Sequence, residues 1–246
     1  MPKLETQMHS APVDSIRSRE NLANFMPDGY ENLDEIDAFC RKMIAGGRLI
    51  VNDDRAVLDA MAQIKNPGIP MREYRGLSNR IHSIMARFTF NTLAEHYPGK
   101  PVKVAISERA GLAAFPAFYR IFNDSEFGFA PQTRDEEDPN HTITIGNKLG
   151  SFAGMHAVVM DPMLATGGSI ESLIDEVVSR GAIGVTTVTT FSSPQGIIRL
   201  AKNFYVGEII TPPLEAGVNT QGFIVGGHEP FPMLGDSGDR SFGKVD

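Results

Sequence analysis

The 246-residue chain has no tryptophan and a single cysteine, Cys40. An internal disulfide and any cysteine-cluster metal site are excluded, and such usage suits a reducing compartment. No run approaches the ~20 uncharged apolar residues of a membrane-spanning helix. The first stretch, MPKLETQMHSAPVDSIRSRE, lacks the apolar core of a secretory signal. We therefore expect a cytoplasmic protein with no membrane partner. Basic residues are in deficit, 23 Lys and Arg against 30 Asp and Glu, for a formal charge of −7. A general nucleic-acid binder needs a basic face, so no nucleic-acid partner is expected. A small polyanion stays open as a ligand, because local arginines, backbone amides or a metal ion suffice to hold one. The six histidines show no ligand spacing.

What is present is ordinary for a folded chain: 41% apolar and 22% charged residues, enough to offset chain entropy. Residues 1–28 are polar and aperiodic and read as a loose arm. ENLDEIDAFCRKMIAGG (31–47) reads as a helix with Leu33, Ile36, Phe39, Cys40 and Met43 on one stripe, stopped by Gly46 and Gly47. Residues 54–64 form a second helix. Pro70 opens the longest helical run, striped by Tyr74, Leu77, Ile81, Ile84, Met85 and Phe88. From residue 101 the texture changes. Strands are expected at 101–106, 126–130, 141–146, 155–160, 182–191 and 206–210, and helices at 169–180 and 194–204. A further helix, GLAAFPAFYRIF, reads as interrupted by Pro116. This alternation implies an α/β fold, a mostly parallel sheet covered by helices on both faces. Three units are expected: an N-terminal arm and helical extension over 1–53, a core over 54–210 and a C-terminal hood over 211–246.

The sharpest local signal is VVMDPMLATGGSI, residues 158–170. An apolar strand ends at Asp161, and a small-residue loop, Ala165-Thr166-Gly167-Gly168-Ser169, leads straight into a helix. Glycines allow close backbone approach. The helix start offers free N–H groups and the positive dipole end, which suits a phosphate. Thr166 and Ser169 add hydroxyls. A plain strand–turn–helix joint with a serine cap would look similar. Asp161 at the strand end, where open α/β sheets bind ligands, favours a ligand loop. No Walker A and no GxGxxG is present.

This stretch and its neighbours resemble the uracil phosphoribosyltransferase family. DPMLATGGS is similar to that family's signature for 5-phosphoribosyl diphosphate (PRPP). IPMREYRGLSNRIHSIMARFTFNTL (69–93), ERAGL (108–112), RDEED (134–138) and LEAGVNTQGFIV…LGDSGDRSFG (214–243) resemble further segments, in order. The resemblance runs from about residue 57 to 243. It implies a phosphoribosyltransferase-like fold and transfer of ribose 5-phosphate from PRPP to uracil, giving UMP and pyrophosphate in pyrimidine salvage. By that analogy Asp161, Pro162, Met163, Leu164, Ala165, Thr166, Gly167, Gly168 and Ser169 hold the 5′-phosphate and ribose. Arg109 and Arg134 meet the pyrophosphate, and Ile224, Gly235, Asp236 and Ser237 meet the base. Asp236 also lies near PRPP, and Asp161, Asp236 and Arg109 form the catalytic set. Pro162 stands where related enzymes often carry a second acid, so Mg²⁺ is expected to arrive with PRPP rather than in a protein-built cage. A homo-oligomer, a dimer first, is expected.

Three departures stand out. Glu108 precedes Arg109 where the family carries an apolar residue. The family's β-arm is reduced to EHYPGKP (95–101). The hood gains Gly226 to Phe231, and Met233 replaces a glycine. Two alternatives therefore accompany uracil transfer: the same chemistry on a related or specialised acceptor, and a PRPP- or nucleotide-sensing regulator without turnover. Smaller expectations are that Met61, Met71, Met85 and Cys40 belong to the core, that Arg72, Arg75 and Arg80 are solvated, and that Asp239 and Arg240 could pair.

Overall fold

Strands that are apolar on both faces need cover on both, and the helices supply it. A computed structural model describes residues 32–66, 68–134, 142–144, 148–215, 217–218, 223–225 and 234–244. The expected arm, most of RDEED and the hood insertion lie outside the described residues. The central sheet has seven strands in the order β1-β9-β7-β5-β2-β3-β4. They are β1 (Leu49–Val51), β2 (Val102–Glu108), β3 (Glu126–Arg134), β4 (Thr142–Thr144), β5 (His156–Met160), β7 (Gly184–Val188) and β9 (Val206–Thr211). All neighbours are parallel except the edge pair β3–β4. Two two-stranded ladders stand apart: β6 (Met163–Leu164) with β8 (Phe191–Ser192), and β10 (Gly217–Val218) with β11 (Ile224–Val225).

Alternation along each strand divides the core. Val104, Ile106, Val158, Met160, Val188 and Ile210 face helices α2 (Arg55–Ile64), α3 (Met71–His96) and α4 (Phe115–Ile121). Ala105, Ala157, Val159, Val185 and Ile209 face α1 (Leu33–Ala45), α5 (Gly168–Ser179) and α6 (Pro194–Ala201). A last helix, α7 (Ser237–Phe242), docks on α3. Helix starts follow their capping residues. Asn32 Oδ1 accepts from Glu35 N at 3.1 Å, Asp54 Oδ1 from Ala56 N at 2.7 Å, and Ser193 Oγ from Gly196 N at 2.9 Å.

Several expectations change. Pro116 does not interrupt a helix: a 3₁₀ turn over Ala110–Ala113 precedes α4, and Pro116 sits in its first turn, where its missing N–H costs nothing. β3 runs on to Arg134 because its second half pairs with β4. The strand expected at 182–191 divides into β7 and β8, since Thr190 N and Phe191 N turn to Pro162 O. β1, unmarked in the sequence, adds an edge strand to β9, so Leu49–Val51 belongs to the sheet although it precedes residue 54. The tail after residue 211 holds the β10–β11 ladder and α7 as well as loops. Met61 and Met85 are buried as expected, but Met71 is 40% exposed at the first turn of α3. Cys40 is buried, and burial pushes its thiol up to about 12, so it is inert at neutral pH. His82 and His156 are buried too, and burial lowers both to about 4. No helix among the described residues is long and apolar enough to cross a membrane.

Candidate active site

The C-terminal ends of β2 and β5 are neighbours, since Ile106 pairs with Met160. Each strand ends in a candidate residue. Asp161 follows β5 and is buried. Its N–H donates to Val188 O at 3.2 Å, and its Oδ1 accepts from Met163 N at 2.9 Å. Burial raises its carboxyl from 3.8 to about 6. The Met163 amide and the Ser107 hydroxyl oppose that rise, and the carboxylate of Asp236 adds to it. Asp236 thus lies close enough for its charge to act on Asp161.

The loop after Asp161 is pinned from beneath. β6 pairs with β8, Ser193 N donates to Leu164 O at 2.9 Å, and Ser193 Oγ donates to Ala165 O at 2.5 Å. Gly167 occupies the N-cap of α5 with φ +88°, a left-handed conformation that only glycine adopts cheaply. Gly167 has no side chain with which to cap the helix, and Ser169 lies inside its first turn. The serine-capped joint is therefore not what forms. A helix start behind a glycine N-cap is the arrangement that suits a phosphate monoester.

Arg109 follows β2, and the Glu108–Arg109 peptide bond is cis. Gly111 lets the turn back onto the sheet: a Cβ there would stand 2.9 Å from Ser107 Oγ and 3.2 Å from Met160 O. Arg109 Nη2 donates to Asp239 Oδ1 at 2.6 Å and to Gly243 O at 2.9 Å. Glu108 is half-buried and forms no ion pair with a described residue. Arg134 ends β3, opposite Thr142 in the ladder.

On the base side, Ile224 is buried in β11, and its carbonyl accepts from Leu234 N at 3.2 Å. The two ends of the lengthened hood segment therefore meet. Gly235 has φ +76°. Asp236 caps α7, accepting from Asp239 N at 2.7 Å. Ser237 is buried, its Oγ 3.0 Å from Tyr74 Oη. Asp161, Asp236 and Arg109 thus gather at one end of the sheet, with Ser237 on the adjoining helix. Two small expectations fail. Arg240 does not pair with Asp239; it lies 4.2 Å over the Tyr74 ring and donates to Leu234 O and Asn66 O. Arg75 is not simply solvated, since its Nε donates to Ser241 O at 2.7 Å. Sequence reasoning missed Tyr74 and Asp239 as polar partners of the site. Tyr74 reads as one more apolar residue of the α3 stripe, and nothing local reveals that its hydroxyl reaches the hood.

A family model described as uracil phosphoribosyltransferase matches residues 98–244. A uracil phosphoribosyltransferase of Levilactobacillus brevis is 30% identical over 215 residues, covering 80% of this chain and 99% of its own length. One from Streptomyces coelicolor is 33% identical over 178 residues, covering 71% of this chain and 79% of its own. Among solved structures, the AQ2163 protein from Aquifex aeolicus superposes with a TM-score of 0.68 at 20% identity, over 79% of this chain and 98% of that one, a likeness of fold. With the family model spanning more than half of the residues, the chain belongs to the uracil phosphoribosyltransferase family.

Proposed function

We propose that the protein is a pentosyltransferase that moves ribose 5-phosphate from PRPP to N1 of uracil, releasing UMP and pyrophosphate. The observation that carries this is the convergence of Asp161, Asp236 and Arg109 beside the glycine-capped start of α5. In the reaction the C1′–pyrophosphate bond breaks and the C1′–N1 bond forms, with loss of the N1 proton. The ribose ring becomes cationic while the leaving group gains negative charge. Asp161 sits where its ionised carboxylate can accept from ribose hydroxyls and oppose the ring charge. The amides of α5 and the Ala165–Ser169 loop hold the 5′-phosphate. Arg109 and Arg134 take pyrophosphate oxygens, a task guanidinium performs with its planar fork. Holding both substrates together contributes up to ~7–11 kcal/mol of the barrier reduction.

Mg²⁺ fits this site as a companion of PRPP. One oxygen of Asp161 already accepts from Met163 N, and Pro162 stands beside it where a second acid would be needed for a protein-built cage. When bound, it would share the charge of the pyrophosphate. The reading includes a cytoplasmic homodimer with no nucleic-acid or membrane partner.

The acceptor is the base read by Ile224 and Gly235 to Ser237. The Leu234–Ile224 backbone bond supports uracil over an altered acceptor, because it keeps these residues together despite the longer hood. The test is pyrophosphate release from Mg-PRPP against a panel of bases. Release with uracil alone, or far above the rest, supports the proposal. Release with a different base alone would overturn the acceptor, and none with any base would overturn the transferase.

A further inference from the structure

Arg109 is engaged through one nitrogen. Nη2 makes both of its contacts, to Asp239 Oδ1 and the Gly243 carbonyl, while Nε is buried with no acceptor among the described residues. The guanidinium is therefore oriented by one corner and keeps donors for another ligand. The carboxylate that orients it comes from a fixed platform. Asp236 caps the start of α7, Tyr74 Oη meets Ser237 Oγ, Arg75 Nε holds Ser241 O, and Arg240 stacks on Tyr74 while bonding Leu234 O and Asn66 O. Asp239 is thus set against Arg109 by contacts that do not involve Arg109. The pair itself is about one-third exposed on each side, 36% and 39%. Such ion pairs add little to folding, so aiming the arginine is the larger consequence of this one.

We propose that Asp239 is a positioning residue for the leaving-group arginine: it fixes Arg109 so that Nη1 meets the pyrophosphate of PRPP without reordering. This rests on reading Arg109 as a pyrophosphate ligand. An unpositioned arginine loses side-chain freedom on binding, a cost that a preset one has already met. The carboxylate also lies near an anion, so charge alone predicts the opposite effect: removing Asp239 would tighten binding.

Two variants separate these. Asp239→Ala removes the acceptor and the charge, whereas Asp239→Asn keeps an acceptor oxygen at the same place. The measurements are KM for PRPP and for uracil, and calorimetric affinity for Mg-pyrophosphate without base. Asp239→Ala should raise KM for PRPP and weaken pyrophosphate binding by at least about tenfold, the scale of a charge-assisted hydrogen bond. KM for uracil should move less than threefold, and Asp239→Asn should recover most of the loss. Wild-type values in both variants, or tighter pyrophosphate binding in both, would overturn the proposal. So would an equal rise in both KM values without recovery in Asp239→Asn, which signals undocking of α7. A wild type that binds no Mg-pyrophosphate overturns the underlying role of Arg109 as well; one that binds it while the variants match it overturns the positioning alone.

Discussion

Asp161→Asn should make the protein more stable and less active, with the gain confined to high pH. Asp161 is buried, and its carboxyl is displaced from 3.8 to about 6, chiefly by burial. The sign follows from proton linkage. Below 3.8 the group is protonated in both folded and unfolded chains and contributes no difference. Between 3.8 and about 6 the folded chain holds a proton that the unfolded chain has released, so stability falls as pH rises. Above about 6 the whole cost of keeping a buried carboxylate is present, about 3 kcal/mol from the size of the displacement. Asparagine keeps the oxygen that accepts from Met163 N and carries no charge. Urea denaturation followed by circular dichroism should therefore place Asp161→Asn above wild type by up to about 3 kcal/mol at pH 8, and level with it at pH 4. The same change should lower kcat by roughly a hundredfold or more, with a smaller effect on PRPP affinity. A gain in stability that is the same at pH 4 and pH 8, or no gain at all, would refute the electrostatic reasoning. An unchanged kcat would leave Asp161 as a structural end to β5.

Gly111→Ala should push the Arg109 turn off the sheet, because its Cβ would stand 2.9 Å from Ser107 Oγ; calorimetry should show PRPP affinity reduced more than tenfold, with folding weakened by about 1–3 kcal/mol. Glu108→Leu should tighten Mg-pyrophosphate binding a few-fold, since it removes a half-buried carboxylate beside Arg109 that no described base neutralises; a marked weakening would show that Glu108 helps to orient its neighbour. Removing residues 226–231 together with Met233→Gly should leave kcat for uracil within about threefold, because Leu234 N and Ile224 O already join the ends of that segment. A large gain in uracil turnover would show that the insertion obstructs the base site.

Much of this architecture is legible in the residues. Strands such as HAVVM carry apolar residues on both faces, which demands a sheet covered twice, and the burial of Ala157 and Val159 on one face and Val158 and Met160 on the other is the direct consequence. Asp161 and the glycines after it announce a ligand loop because strand end, small residues and helix start occur in one short run. β1 is not legible in the same way. Three residues, Leu49–Val51, carry too little period to mark a strand, and only β9 beside them makes them one. The split of residues 182–191 depends on Pro162 O capturing two amides, a contact between segments far apart in the sequence. The polar links of the site are hidden for the same reason: Arg109 with Asp239 and Tyr74 with Ser237 join residues more than a hundred positions apart. No spacing rule reports such pairs.

The most direct single measurement is UMP formation by the purified 246-residue chain from Mg-PRPP and uracil at about pH 7.5, resolved by chromatography. The expected result is UMP and pyrophosphate in equal amounts, dependent on both substrates and slowed roughly a hundredfold or more in Asp161→Asn. Binding of Mg-PRPP in calorimetry with no UMP at any uracil concentration would contradict it and leave either a transferase with another acceptor or a sensor of PRPP.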